Sequence, residues 1–550
     1  MLAWIAPRSK FRNNLSAFVN QPQSYFIGTE MIELSIVIEI TDHRKCRWRR
    51  WNWAVKNNFQ RDAWIENESA ILKKPNRRSL SCYALLGAGL ILLILTRAPE
   101  LLFINAILGS LILFVGAIPA IHYLQIAPSE RSTIPLLPLA GVFYGLFFGV
   151  SVFAVRVLWM PGEGRYFHYN PKTTLAVSTE AQILVLAGIG LMYFGYLFFR
   201  MNMWRRSPQF RLPKIQDNRW KDIVVSGLAI AQLLYFYIPS IQQLPSVGQF
   251  VLPAGYLAFG YFYVRWREKQ LKPVVAAIVL LIAFPLVIIK LITSGYLSSL
   301  ILVGLLFVLL EMAIGGRVRW LPLLMLPAIL LLAYPPMMVI RTYIWDSSKN
   351  LNTAEKLRYS AKFLLDYYVL DGVDENFYRP GTGKLSFSEN PISYRGLAVR
   401  TTHIVLFANV VEASPKRVPY WRGETYLPLV THFIPRAIWP EKPQERTGNA
   451  FGQRYGFLDS TDFNMSLNLP WITEMYANFG TIGVLCGMTI VGILLAFLES
   501  TFCRPKAPSL QLVTGAVVVF PFFYQESNFS LIAGSFIPLV ISIWVYFYVA

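Results

Sequence analysis

The side chains best suited to chemistry lie in the last third of the 550-residue sequence. In FIPRAIWPEKPQER, prolines fix the backbone around Arg436, Lys442 and Arg446, and a stiff turn displaying cations suits an anionic ligand such as a diphosphate. Arg400 and Arg422 add to this set, and a guanidinium offers phosphate oxygens a two-pronged hydrogen bond. Glu474, in WITEMYANFG with Tyr476 and Asn478, stands at the start of an otherwise apolar run, where an ionisable group marks a functional site by default. His403 and His432 are two of only five histidines, and either an imidazole or a carboxylate can take a proton from a hydroxyl. A bland reading stands beside each. A single loop arginine is usually solvated or ion-paired, and a lone histidine is usually a structural hydrogen-bonding residue.

These residues must be positioned by elements in lipid. Hydrophobic residues make up 55% of the chain and aromatic residues 15%, more than a soluble chain of this size carries. Apolar runs near 80–96, 101–123, 134–155, 180–199, 223–240, 247–264, 273–289, 294–313, 320–340, 471–498, 510–525 and 528–549 predict about twelve transmembrane helices, an all-α polytopic bundle. The net charge of +20 invites a nucleic-acid reading, but the Lys and Arg residues crowd into alternate connections, which is an orientation signal. Residues 44–78, 200–221, 265–272, 317–319 and 504–506 are basic, whereas 97–100 and 241–246 share one basic residue. The basic side is cytoplasmic by this rule, with both termini on it, and no nucleic acid is implied.

The organisation expected is a basic cytoplasmic segment (1–79), a first set of nine membrane helices (80–340), a large extracytoplasmic loop (341–470) and three last helices (471–550). Residues 1–30 show no periodic pattern. None of the four cysteines falls in the large loop, so no disulfide framework is expected there. Within the loop, Asn352-Thr353-Ala354-Glu355 reads as a helix start, with Leu357, Ala361, Leu364, Leu365 and Tyr368 at helical spacing. Residues 371–391 carry turn formers, and RTTHIVLFANVVE has an apolar face able to dock onto the bundle. Phosphate-binding Walker loops, paired Cys or His at zinc spacing, GxSxG and HExxH are all missing from the sequence, so ATPase, zinc-hydrolase and serine-hydrolase readings lack their motifs and no metal site is expected.

The arrangement of spans around one dominant loop, together with FIPRAIWPEKP, GNAFGQRYG and PWITEMYANFG, resembles the O-antigen polymerase class of oligosaccharide repeat-unit polymerases (Wzy-like), over roughly residues 80–550. The resemblance implies glycosyl transfer at the outer face of the bacterial inner membrane, from one undecaprenyl-diphosphate-linked glycan to the terminal hydroxyl of another, without metal, cofactor or nucleotide sugar. It implies that Arg400, Arg422, Arg436, Lys442 and Arg446, with Asn449 and Asn478, hold the diphosphate and glycan, and that Glu474 or His403 serves as base. Expected partners are the lipid-linked oligosaccharides, membrane lipid, a flippase and a chain-length regulator. Three readings compete with polymerisation: a ligase of the same architecture; a polysaccharide or lipid transporter, which the scarcity of mid-span charges and of internal repeats disfavours; and a non-catalytic membrane scaffold for an exopolysaccharide complex, which would tolerate loss of every loop arginine.

Overall fold

The computed structural model describes residues 23–27, 30–34, 103–126, 132–152, 179–213, 218–244, 247–293, 297–315, 334, 353–368, 402–432, 439, 441, 446–463, 466–504 and 507–549. The chain divides into two units, Met1–Leu80 and Ser81–Ala550. In the first, β1 (Gln23–Ile27) pairs antiparallel with β2 (Glu30–Leu34), Gln23 opposite Leu34 and Ile27 opposite Glu30. This hairpin is an exception to the all-α expectation. It falls partly in residues 1–30, where no pattern was visible.

The described regular elements of the second unit are all helices. In chain order they form α1 (Phe103–Gln125), α2 (Leu136–Val150), α3 (Thr179–Asn202), α4 (Asn218–Tyr237), α5 (Val247–Arg267), α6 (Pro273–Thr293), α7 (Leu297–Gly315), α8 (Thr353–Tyr368), α9 (His403–Ala413), α10 (Thr447–Arg454), α11 (Trp471–Phe502), α12 (Ser509–Phe523) and α13 (Phe529–Val549). Five of these, α1, α3, α6, α11 and α13, are long and apolar enough to cross a membrane; α2, α9 and α12 are shorter apolar helices, and so is the stretch Leu300–Ile314 of α7. This is a membrane protein. The expected runs at 80–96 and 320–340 lie outside the described residues, Tyr334 apart.

Large apolar side chains exposed on α1, α3, α6, α11 and α13, among them Phe194, Leu281, Ile482 and Trp544, face outward as lipid requires. Association inside the bundle relies on close packing. Helices α3 and α11 run parallel: Gly188 lies against Val484 and Met488, and the rings of Phe199 and Phe497 are 6.1 Å apart. They touch backbone to backbone, because a Cβ at Gly492 would run into the Met192 carbonyl and one at Gly195 into the Thr489 carbonyl. Small residues at such crossings allow the dispersion contact that replaces the hydrophobic effect in lipid.

Of the basic connections expected on one face, the described parts of 200–221, 265–272 and 504–506 converge at one end of the bundle. Arg504 donates to the Ser207 carbonyl and hydroxyl (3.4 and 3.3 Å), Phe210 N–H to the Thr501 carbonyl (3.1 Å), and Ser509 to Glu268 (2.8 Å). At the same end Arg265 pairs with Asp222 and Arg267 with buried Glu311. The chain 402–432 belongs elsewhere. Its helix α9 packs on α3 and α11 through buried Ile404, Phe407, Val410 and Val411, so this part of the expected loop docks on the bundle through its apolar face. Helix α8 forms where the sequence places it and packs on α6.

The apolar run at 471–498, read as one span, is bent. Gly480 has φ 63° and ψ −149°, a conformation open essentially to glycine alone, and the helices on either side (471–479 and 481–502) fold back on each other. Met475 Sδ lies 2.5 Å from where a Cβ on Gly487 would stand, and Ile472 and Met488 both touch Gly188. In a continuous helix residues 475 and 487 would be about 18 Å apart. Residues 471–479 are therefore a re-entrant half-helix. It starts against Gly188, part way down α3, and climbs back to the turn at Gly480, while the 22 residues that follow span about 33 Å, the thickness of a hydrocarbon core.

Candidate functional site

A broken helix leaves orphan carbonyls at its end, and those of the half-helix need donors. The segment 419–427 supplies them. Trp421 N–H donates to the Ala477 carbonyl (3.0 Å) and Arg422 N–H to that of Asn478 (3.2 Å). The Asn478 side chain locks the strap: its Oδ1 accepts Gly423 N–H (2.8 Å) and its Nδ2 donates to Thr425 Oγ1 and to the Glu474 carbonyl (both 2.8 Å). Asn478 is thus a buried structural clasp, 1% exposed. The tight turn it holds puts Gly423 at φ 95° and, unusually for a residue with a side chain, Arg422 at φ 51°. The Arg422 side chain is exposed. Arg454, on α10, stacks 4.2 Å over the Trp421 ring and donates to the Pro419 carbonyl (2.9 Å), bracing the strap from outside.

Under the strap lies a set of buried polar groups at the depth where the half-helix begins. Glu474 is fully buried, and its Oε2 accepts Phe529 N–H at 2.7 Å, the first turn of α13. A carboxylate there is stabilised by the unpaired N–H groups and positive end of the helix. Glu499, near the other end of α11, does the same for α2, accepting Leu136 N–H at 3.1 Å. Burial pushes the Tyr426 phenol up, and the neighbouring Glu474 carboxylate adds to the shift, so this hydroxyl keeps its proton. Ser530 joins the strap to α13 through the Thr425 carbonyl (3.1 Å).

The turn between α12 and α13, Gln525-Glu526-Ser527-Asn528, brings a second carboxylate. Glu526 is 8% exposed; its Oε1 accepts from Asn468 and lies 3.5 Å from His403 Nε2. Gln525 fixes this turn: Tyr144 donates to its Oε1 (2.7 Å), and its carbonyl accepts Trp471 N–H (3.1 Å). His403, 6% exposed at the first position of α9, stacks on Phe147 with centroids 5.1 Å apart and planes 14° from parallel. A π-helical turn at Gly145–Val150 widens α2 there and presents Phe147 and Phe148 to the imidazole. Irregular turns of this kind recur where a helix must aim side chains at a site.

Of the residues singled out in the sequence, the structure brings together Glu474, Asn478 and Arg422 around the strap, with His403 beside Glu526. Arg446 and Asn449 lie farther along, on α10: Arg446 is exposed just before the helix, and buried Asn449 donates to the Asp462 carbonyl at 2.7 Å, holding a loop. Arg400, Arg436 and Lys442 lie outside the described residues, as does the side chain of His432. No group of three or more His, Cys, Asp or Glu side chains able to hold a metal occurs among the described residues. Sequence reasoning missed Glu526, Gln525 and Asn468. The signal was the polar tetrapeptide QESN at the junction of two apolar runs.

Neither the curated proteins nor the solved structures contain a match to this chain. Residues 87–525 match a family described as a domain of unknown function (DUF8712), and the chain belongs to that family.

Proposed function

We propose that this protein is a metal-independent glycan polymerase of the Wzy-like type, joining undecaprenyl-diphosphate-linked oligosaccharide repeat units into O-antigen or exopolysaccharide. In this reading the chain crosses the bacterial inner membrane about twelve times, keeps both termini in the cytoplasm and exposes residues 341–470 on the outer face. The observation that carries it is the pairing of two features at one place. A re-entrant half-helix sets buried ionisable groups beside a helix long enough to cross a membrane, and a strap clasped to its tip holds out the cation Arg422. Protein backbone and charges are tolerated at membrane depth only when buried in protein or lining a polar cavity.

The chemistry requires fixed positive charge for the departing lipid diphosphate and a base for the attacking hydroxyl. Arg422 serves the first need, together with Arg400, Arg436, Lys442 and Arg446; His403 and the carboxylates of Glu474 and Glu526 are the groups available for the second. A chain-length regulator and a flippase are the expected partners. The ligase reading uses the same chemistry with a different acceptor.

The test is deletion of the gene and gel analysis of surface glycan. Single-repeat material supports polymerisation, unattached long chains indicate a ligase, and an unaltered ladder rejects both. Complementation with Arg422→Gly sharpens this, because glycine relieves the φ of 51° while removing the charge. A protein present at wild-type level that makes only short chains is expected. Full-length chains would remove Arg422 from the site.

A further inference from the structure

We infer that Glu526 is the general base for the acceptor hydroxyl, with Asn468 holding its carboxylate in position beside His403; this rests on the glycosyl-transfer reading above. The two buried carboxylates near the re-entrant helix are differently employed. Glu474 is sealed, with no exposed surface, and one of its oxygens is committed to the first N–H of α13. Glu526 is gripped on one side only. Asn468 Nδ2 and His403 Nε2 both face Oε1, whereas Oε2 takes no hydrogen bond from any described residue, and the side chain keeps 10% of its surface open. A base must touch the proton it removes, and of the two carboxylates Glu526 is the one that keeps exposed surface.

The surroundings fit that task. The carboxylate sits on a turn fastened from both sides, by Tyr144 on the Gln525 side chain and by Trp471 N–H on the Gln525 carbonyl. His403 is itself stacked on Phe147, so the imidazole is a fixed neighbour of Oε1, 3.5 Å away. Tyr524 and Phe147, both partly exposed and 6.4 Å apart edge to face, form an aromatic wall next to it. Such a wall offers a sugar ring an apolar surface while the carboxylate meets its hydroxyl.

In the step proposed, Glu526 Oε2 takes the proton of the acceptor hydroxyl, and the hydroxyl oxygen forms a bond to the anomeric carbon of the donor glycan. The bond from that carbon to the lipid diphosphate breaks, its electron pair leaving on the diphosphate oxygen, and the carboxylic acid then returns its proton to water. Atoms and charge balance with no co-reactant.

The experiment complements the gene-deleted strain with Glu526→Gln, Glu526→Asp and Glu474→Gln, reading glycan length on gels, protein in the membrane by immunoblot, and the melting temperature in detergent. Glu526→Gln keeps the acceptor for Asn468 and removes the base. It is expected at wild-type level and melting temperature with polymer reduced at least about a hundredfold, the usual loss with a general base. Glu526→Asp restores part of the polymer. Glu474→Gln lowers the melting temperature. Wild-type polymer from Glu526→Gln overturns the assignment and leaves the polymerase reading standing; an unaltered ladder in the uncomplemented deletion overturns both. Should Glu526→Gln fail to reach the membrane, Glu526→Asp decides: reduced polymer at normal protein level supports the assignment, and full polymer overturns it.

Discussion

Gly480→Ala probes the feature on which the site depends, the reversal of chain direction between residues 479 and 481. At φ 63° and ψ −149° an L-residue pays about 1–3 kcal/mol in backbone strain. The new methyl would also stand 2.6 Å from the Tyr420 hydroxyl and 2.9 Å from its ring carbon, so the ring must move from its edge-to-face contact with Tyr476. That contact is worth about 0.5–1.5 kcal/mol, for a total of about 1.5–4.5 kcal/mol. Unfolding entropy of about 2.1 cal/mol/K per residue gives a cooperative unit of about 470 residues close to 1 kcal/mol/K, so the melting temperature should fall by about 1.5–4.5 °C. Thermal unfolding in detergent measures this. Adding Tyr420→Phe should recover the part due to the hydroxyl and leave the backbone part. Geometry has its own check: with the four native cysteines replaced, Met475→Cys and Gly487→Cys should oxidise to a disulfide and lose reactivity toward maleimide. A Gly480→Ala protein that melts like wild type, or a cysteine pair that stays reduced, would refute the fold-back.

Asn478→Ala strands Gly423 N–H and Thr425 Oγ1, at about 1–3 kcal/mol per unsatisfied group; limited proteolysis should show new cleavage within 419–432. Arg454→Ala removes the stack on Trp421 and should cost about 0.5–2 kcal/mol in thermal unfolding, with Arg454→Lys recovering only part. Gly492→Leu drives a side chain into the Met192 backbone where α3 and α11 cross, and a fall in membrane-inserted protein by immunoblot is expected, since overpacking typically costs about 1–3 kcal/mol.

The site was legible in part, residue by residue. Glu474 stood out because a carboxylate in an apolar run has few reasons to be there, and it is indeed buried in a polar cluster. The sequence could not tell a base from a helix cap, because that depends on whether a neighbouring N–H, here Phe529, arrives at the carboxylate. Asn478 was marked for glycan and turns out to clasp a strap 55 residues upstream. Glu526 was passed over because polar residues between two apolar runs read as a connection whether the turn lies in water or is drawn down beside α2 and the half-helix.

Local composition determined that this is a membrane protein built from apolar helices, that its described basic connections group together, that α8 forms inside the polar stretch and that residues 400–412 carry an apolar face there. Those properties follow from transfer energies and helical periodicity, which act over a few turns of chain. What only the tertiary structure decided is depth. A single glycine turned an apparent long span into a half-helix beside a full one, bringing His403, Glu474 and Glu526, far apart in the chain, to one buried level. No local pattern encodes that, because the orphan carbonyls at the break are satisfied by donors from residues 421 and 422, and it is this distant partner that makes the break stable.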